Sequence, residues 1–158
     1  MFKAMQKNSG FSLMELMTVI AIVAVMAAFA IPSMIGSRGR AKLQGVVDNL
    51  TGDLQVAKLM AIRESSFVVV DFAADSYRLF IDDNEDWDSA GERILQTRQL
   101  PPDVRIDLAA TDLSDDRTRF NDRGLPADTN LGTVVIVNSA GDQRSININR
   151  LGRLRVQP

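Results

Sequence analysis

Three groups of residues have the types and spacing to do chemistry. Asp82, Asn84, Asp86 and Asp88 alternate and Glu92 follows, a set of oxygen ligands spaced much as in a calcium loop. Such a loop needs glycine at its sharp turn, where this chain has Trp87, and its closing bidentate carboxylate would fall where Arg93 stands. A solvated acidic hairpin loop is the better reading, because short acidic runs ordinarily solvate a turn, and no metal or cofactor is expected. The second group is Arg144, Arg150, Arg153 and Arg155. If residues 153–156 form a strand, Leu154 and Val156 face the core while Arg153 and Arg155 share the opposite face, about 6.6 Å apart. Two guanidiniums so placed, with Arg144 and Arg150 nearby, suit phosphate. The plainer alternative is a polar strand face whose arginines pair with the acidic middle of the chain. The third group is a single residue, Glu15, inside an otherwise apolar run. A carboxylate at bilayer depth costs about 2.5 to 3.5 kcal/mol even on lenient scales, so Glu15 needs a partner.

Absent residue types narrow the reaction classes further. The 158 residues include no Cys and no His, which removes disulfides, thiolate metal sites, the usual zinc ligands and the commonest general base. No nucleophile and base can be paired among so many aspartates, so an enzyme is not expected. The formal net charge of -2 conceals a polarity along the chain: residues 71–116 carry thirteen acidic side chains against four basic ones, and residues 117–158 carry seven Arg against three Asp. The C-terminal part is the basic end.

The elements that must position these groups follow from periodicity. Residues 1–10 form a short leader with Lys3 and Lys7 and no acid, a charge that holds the N-terminus on the cytoplasmic side of a membrane. Residues 11–31 are apolar except for Ser12, Glu15 and Thr18, and as a helix they would extend about 31 Å, roughly the thickness of a bilayer's hydrocarbon core. A removable secretory signal places its small-residue cleavage site after the apolar stretch, whereas Gly10 comes before it. Pro32 removes a backbone donor directly after the span, so a kink, local melting or a helix end is expected there, with Gly36 and Gly39 weakening helix further. Beyond it Leu43, Val46, Val47, Leu50, Leu54, Ala57 and Ala61 recur at three- and four-residue steps, an amphipathic helix whose stripe should pack on a sheet. From residue 67 onward short β-prone runs alternate with turns: 67–72, 77–81, 94–100, 104–108, 117–121, 133–138, 143–149 and 153–156. The expectation is an α+β chain: leader 1–10, transmembrane or assembly helix 11–35, amphipathic helix 36–66, and a β-rich antiparallel head 67–158.

The string Gly10-Phe11-Ser12-Leu13-Met14-Glu15-Leu16 resembles the prepilin peptidase site of type IV pilins and type II secretion pseudopilins. The resemblance implies cleavage between Gly10 and Phe11, methylation of the new amine at Phe11, and a bacterial inner-membrane precursor with a periplasmic head. It further implies that Glu15 pairs with the Phe11 ammonium of a neighbouring subunit, that the helix packs with those of other pilins, and that Pro32 occupies a place where pilins also carry proline. Membrane lipid, prepilin peptidase and other pilins are the partners it brings. The head is similar to the GspH/FimT branch of minor pilins and pseudopilins through the acidic turn 82–92, Phe120-Asn121-Asp122-Arg123-Gly124-Leu125-Pro126, and Arg150-Leu151-Gly152-Arg153-Leu154-Arg155-Val156. Gly152-Arg153-Leu154-Arg155 resembles the motif of FimT-type minor pilins that bind DNA, which carries DNA over as an alternative partner of Gly152, Arg153 and Arg155.

Overall fold

A computed structural model describes residues 11–127 and 131–158, the side chains of residues 30–36 excepted. The chain divides after Ser37 into two units. Among the described residues there is one α-helix, α1 (Leu13–Glu64), and it runs without a break. Ser12 begins it by accepting the Glu15 N–H on Oγ at 3.2 Å, the bond of an N-cap. Pro32 was expected to end or melt the helix and does neither. A proline forfeits one intrahelical bond, and the turns on both sides keep theirs. Ser65, in the left-handed region at φ 53, turns the chain out of α1.

Eight strands follow: β1 (Phe67–Phe72), β2 (Ser76–Asp82), β3 (Ile94–Gln99), β4 (Val104–Ile106), β5 (Arg117–Phe120), β6 (Gly132–Asn138), β7 (Gln143–Ile148) and β8 (Leu154–Gln157). They form two antiparallel sheets, the antiparallel head that was expected. The orders are β3-β2-β1-β5 and β4-β6-β7-β8. The chain first crosses between the sheets from β3 to β4, where Pro101 and Pro102 stand, returns to the first sheet at β5 and crosses again to β6. Two adjacent prolines supply no ladder donors, so the chain leaves one sheet before it enters the other.

The seven stripe residues of α1 named from periodicity are all buried. They meet Val68, Val70, Phe72, Tyr77, Leu79 and Ile81 from the first sheet and Val134, Ile136, Ile146 and Ile148 from the second in one core. Every residue of that core lies in the unit beginning at Arg38, so the head carries its own hydrophobic stabilisation. The first sheet is covered on its other face too. Val69 and Phe80 are paired across β1 and β2 and are both buried, although they point away from α1. That explains the unbroken apolar run 67–70, since a strand buried on both faces does not alternate.

Candidate functional site

From Phe11 to Phe29 the chain is apolar and exposed on every side. Phe11, Leu13, Met14, Met17, Ile20, Val23 and Phe29 each leave more than half their surface open, with Phe11 at 84%. A helix apolar all round belongs inside a bundle or a membrane. Of the three polar side chains in residues 11–29, two are satisfied within the helix itself: Ser12 by the cap, and Thr18 by donating from Oγ1 to the Met14 carbonyl at 2.8 Å. The Glu15 carboxylate has no partner among the described residues. Sequence reasoning overlooked that Ser12 and Glu15 stand three apart as a capping pair, which gives a glutamate here a local use as well. Gly10 lies outside the described residues, as does the side chain of Pro32. Among the described residues no helix is long and apolar enough to cross a membrane.

The C-terminal arginines divide into two sets. β8 is an edge strand in which Arg155 pairs with Asn147 and Leu154 with Ile148. The Asn149 N–H donates to the Arg153 carbonyl at 3.2 Å and continues that register, so Arg153 and Arg155 fall on the face away from α1. Arg144 is in phase with Ile146 and Ile148 and so belongs to the opposite face, beside Asp142. Asn138, donating at 3.0 Å, and then Arg40 hold the Asp142 carboxyl below its usual range. Arg150 is exposed in the turn before β8. Val156 was expected in the core but is 41% exposed, because beyond an edge strand no neighbour covers it.

The turn that presents Arg153 is built by its neighbours. Asn149 Oδ1 accepts the N–H groups of Leu151 and Arg153 at 3.0 and 2.9 Å. Lys58 on α1 donates to the Gly152 carbonyl at 2.6 Å. Gly152 has φ +66, and a Cβ there would lie 2.9 Å from the Gly124 carbonyl oxygen. The two glycine-containing motifs of the head are thus packed against each other, and Gly152 is required by backbone geometry whatever else it does.

Three other arginines of the head do pair with carboxylates. Asp71 accepts from Arg78 at 2.9 Å and from Arg117 at 3.2 Å. Arg119 pairs with Asp82 at 3.3 Å and lies between two rings, 4.2 Å from Phe67 and 4.0 Å from Trp87. Among the described residues no ion pair joins Arg144, Arg150, Arg153 or Arg155 to a carboxylate, as is also true of Arg38, Lys58, Arg105 and Arg123.

The alternating acids do not converge on a point. Asp82 is buried and turned toward Arg119, while Asn84, Asp86 and Asp88 each accept the backbone N–H two residues on, at 2.8 to 3.2 Å. Glu92 reaches the Asp83 N–H at 3.4 Å. Among the described residues no group of three or more acids could hold a metal ion. Trp87 stands where a calcium loop would want glycine, and it adopts the left-handed conformation that glycine favours, φ 66. Its ring on Arg119 and its carbonyl, which accepts from Arg117 at 2.7 Å, offset that strain.

Sequence reasoning also missed a buried polar triad. Asp53 of α1 accepts from the Tyr77 hydroxyl at 2.6 Å and from Arg98 at 2.8 and 3.2 Å. No local signal marks it, because the three residues are far apart in sequence and each alone reads as surface or core.

With this geometry in hand, comparison with known proteins is informative. Residues 46–152 match the family described as type II transport protein GspH, and residues 5–31 match the prokaryotic N-terminal methylation motif. The pilin-like protein PilA1 of Thermus thermophilus is 31% identical over 156 residues, covering 94% of this chain and 97% of that one. The type II secretion system core protein G of Escherichia coli is 29% identical over 143 residues, covering 86% and 76%. Among solved structures, the type IV minor pilin FimU of Pseudomonas aeruginosa aligns with a TM-score of 0.59 at 15% identity, covering 75% of this chain and 90% of that one. The minor pseudopilin EpsH from the type 2 secretion system of Vibrio cholerae aligns with a TM-score of 0.57 at 12% identity, covering 73% and 96%. At such identities the structural likeness establishes the fold.

Proposed function

The chain belongs to the GspH family as a minor pilin or pseudopilin of a type IV pilus or type II secretion system, and we propose that its N-terminal helix builds it into the fibre. In this reading prepilin peptidase cuts between Gly10 and Phe11, the new amine is methylated, and residues 11–31 hold the precursor in the inner membrane with its head in the periplasm. The observation that carries the proposal is the state of Glu15: Ser12 and Thr18 are satisfied within α1, and the carboxylate is not. In a bundle of such helices a carboxylate beside a neighbour's terminal ammonium becomes half of a pair, and removing one member of a buried pair is strongly destabilising. Mass spectrometry of the membrane-extracted protein should find an N-methylated Phe11 terminus. A Met1 terminus in assembled fibres would be incompatible with it. Glu15→Gln keeps the hydrogen-bonding capacity of a capping pair and discards the charge. Its incorporation beside wild-type subunits is expected to fall more than about tenfold, and unchanged incorporation would refute the pairing role.

A second reading, binding of DNA phosphates at the C-terminal edge, is favoured by one observation. Arg153 and Arg155 share a face and lack carboxylate partners among the described residues, while Arg117 and Arg119 have theirs. Weak, sequence-independent binding that falls steeply with salt is expected of the head and should be lost in the Arg153→Gln, Arg155→Gln double variant. A mobility-shift titration without retardation at low salt would dispose of it.

A further inference from the structure

A side chain that grips an anion is only as well aimed as the backbone beneath it, and any ordering left until binding is subtracted from affinity. Arg155 is held in the β7 ladder opposite Asn147. Arg153 precedes β8, which begins at Leu154, and it follows a glycine, the residue whose backbone turns most freely. Its aim therefore depends on the peptide unit that joins Gly152 to Arg153.

That unit is held at both of its polar atoms. Its N–H, that of Arg153, donates to Asn149 Oδ1 at 2.9 Å, and its carbonyl, that of Gly152, accepts from Lys58 Nζ at 2.6 Å. A peptide is planar, so two fixed ends fix the plane and the direction in which the chain enters Arg153. The two holds differ in kind. Asn149 belongs to the same turn, as do the bonds from the Gly152 N–H to the Asn149 carbonyl at 2.8 Å and from the Leu151 N–H to Asn149 Oδ1 at 3.0 Å. Lys58 stands 94 residues away on α1, among Leu54, Ala57 and Ala61, which are fully buried. It ties the turn to an element rooted in the core.

A second observation is independent of that hydrogen bond. A Cβ at residue 152 would lie 3.3 Å from both Cε and Nζ of Lys58, so glycine at this place makes room for the lysine as well as for the turn. Lys58 is half-buried. An ammonium partly withdrawn from water needs an acceptor, and the one it meets is this carbonyl, in a bond strengthened by the charge.

We propose that Lys58 is a positioning residue for phosphate binding at the C-terminal edge: by holding the Gly152 carbonyl it sets the Gly152–Arg153 peptide, so that the Arg153 guanidinium meets the phosphate chain together with that of Arg155. Lys58 acts through Arg153 and touches no phosphate itself. The inference rests on the reading of that edge as a DNA-binding face.

The test is a double-mutant cycle on the full-length chain in a neutral detergent, titrated with a short DNA duplex of arbitrary sequence at low salt. Lys58→Met keeps the aliphatic stem and discards the donor. It should lower affinity about tenfold and quicken amide exchange at Arg153, while leaving the melting temperature of the head within a few degrees. In an Arg153→Gln background, where Arg155 still binds, the same substitution should change affinity less than about twofold, because residues that act as a unit are not additive. Should Lys58→Met unfold the head, Lys58→Gln takes its place with the same results expected. Equal losses in the two backgrounds would make Lys58 a phosphate contact in its own right, and unchanged affinity in the single variant would show that Arg153 is aimed without it; either result overturns the proposal. An unmodified chain that shifts no duplex at low salt would instead overturn the DNA reading beneath it.

Discussion

Raising the pH above about 10 is expected to destabilise the head through Tyr77. This side chain is 1% exposed and donates to Asp53 Oδ2 at 2.6 Å. Burial first, and then the Asp53 carboxylate, push the phenol well above its ordinary value of 10.0, and Arg98 offsets only part of the effect. The unfolded chain releases this proton near pH 10, whereas the folded chain keeps it. Above that pH the unfolded form binds fewer protons, so the free energy of unfolding declines as pH rises, by at most about 1.4 kcal/mol per unit. Two units amount to about 2.7 kcal/mol, a large part of the roughly 5 to 15 kcal/mol that holds a small domain together. Tyr77 is the one tyrosine of the chain, so tyrosinate absorbance reports this group alone. In residues 38–158 that absorbance should emerge together with loss of circular dichroism, and Tyr77→Phe should flatten the alkaline decline. Tyrosinate appearing near pH 10 in a head that is still folded would refute the reasoning.

Two further outcomes test the positioning of the site. Asp53→Ala leaves the Tyr77 hydroxyl buried without an acceptor and should cost about 2 to 4 kcal/mol by urea unfolding, with Asp53→Asn costing less. Gly152→Ala puts a side chain at φ +66 against the Gly124 carbonyl and should lower stability by about 1 to 3 kcal/mol, measured by thermal melting, although it removes no charge from the basic edge.

The parts of the fold legible in the sequence were those governed by local period. The α1 stripe was readable because a helix repeats its buried face every three or four residues, and strand limits fell close to the turn residues that bound them. The division into two sheets was not readable. It depends on β1 meeting β5 and β4 meeting β6, and no local pattern encodes such distant pairing. Of the candidate site, Arg153 and Arg155 could be assigned to one face from a two-residue period, whereas the separation of Arg144 required the register of β7. The state of Trp87 was hidden for a different reason. A bulky residue in the left-handed region is tolerated only where its surroundings compensate, and Arg119 does so from β5.

The route by which the chain leaves α1 bears on how a fibre subunit carries load. Tension arriving through the helix passes Ser65 and Ser66 directly into β1, which is an inner strand, bonded to β2 on one side and β5 on the other. Ladder bonds run across the strands, so a pull along β1 must shear both ladders together, and cannot peel one pair at a time as it could from an edge. The same strand is buried on both faces, in the α1 core through Val68 and Val70 and on the other face at Val69. The edge strands β3 and β8 lie off that line of force.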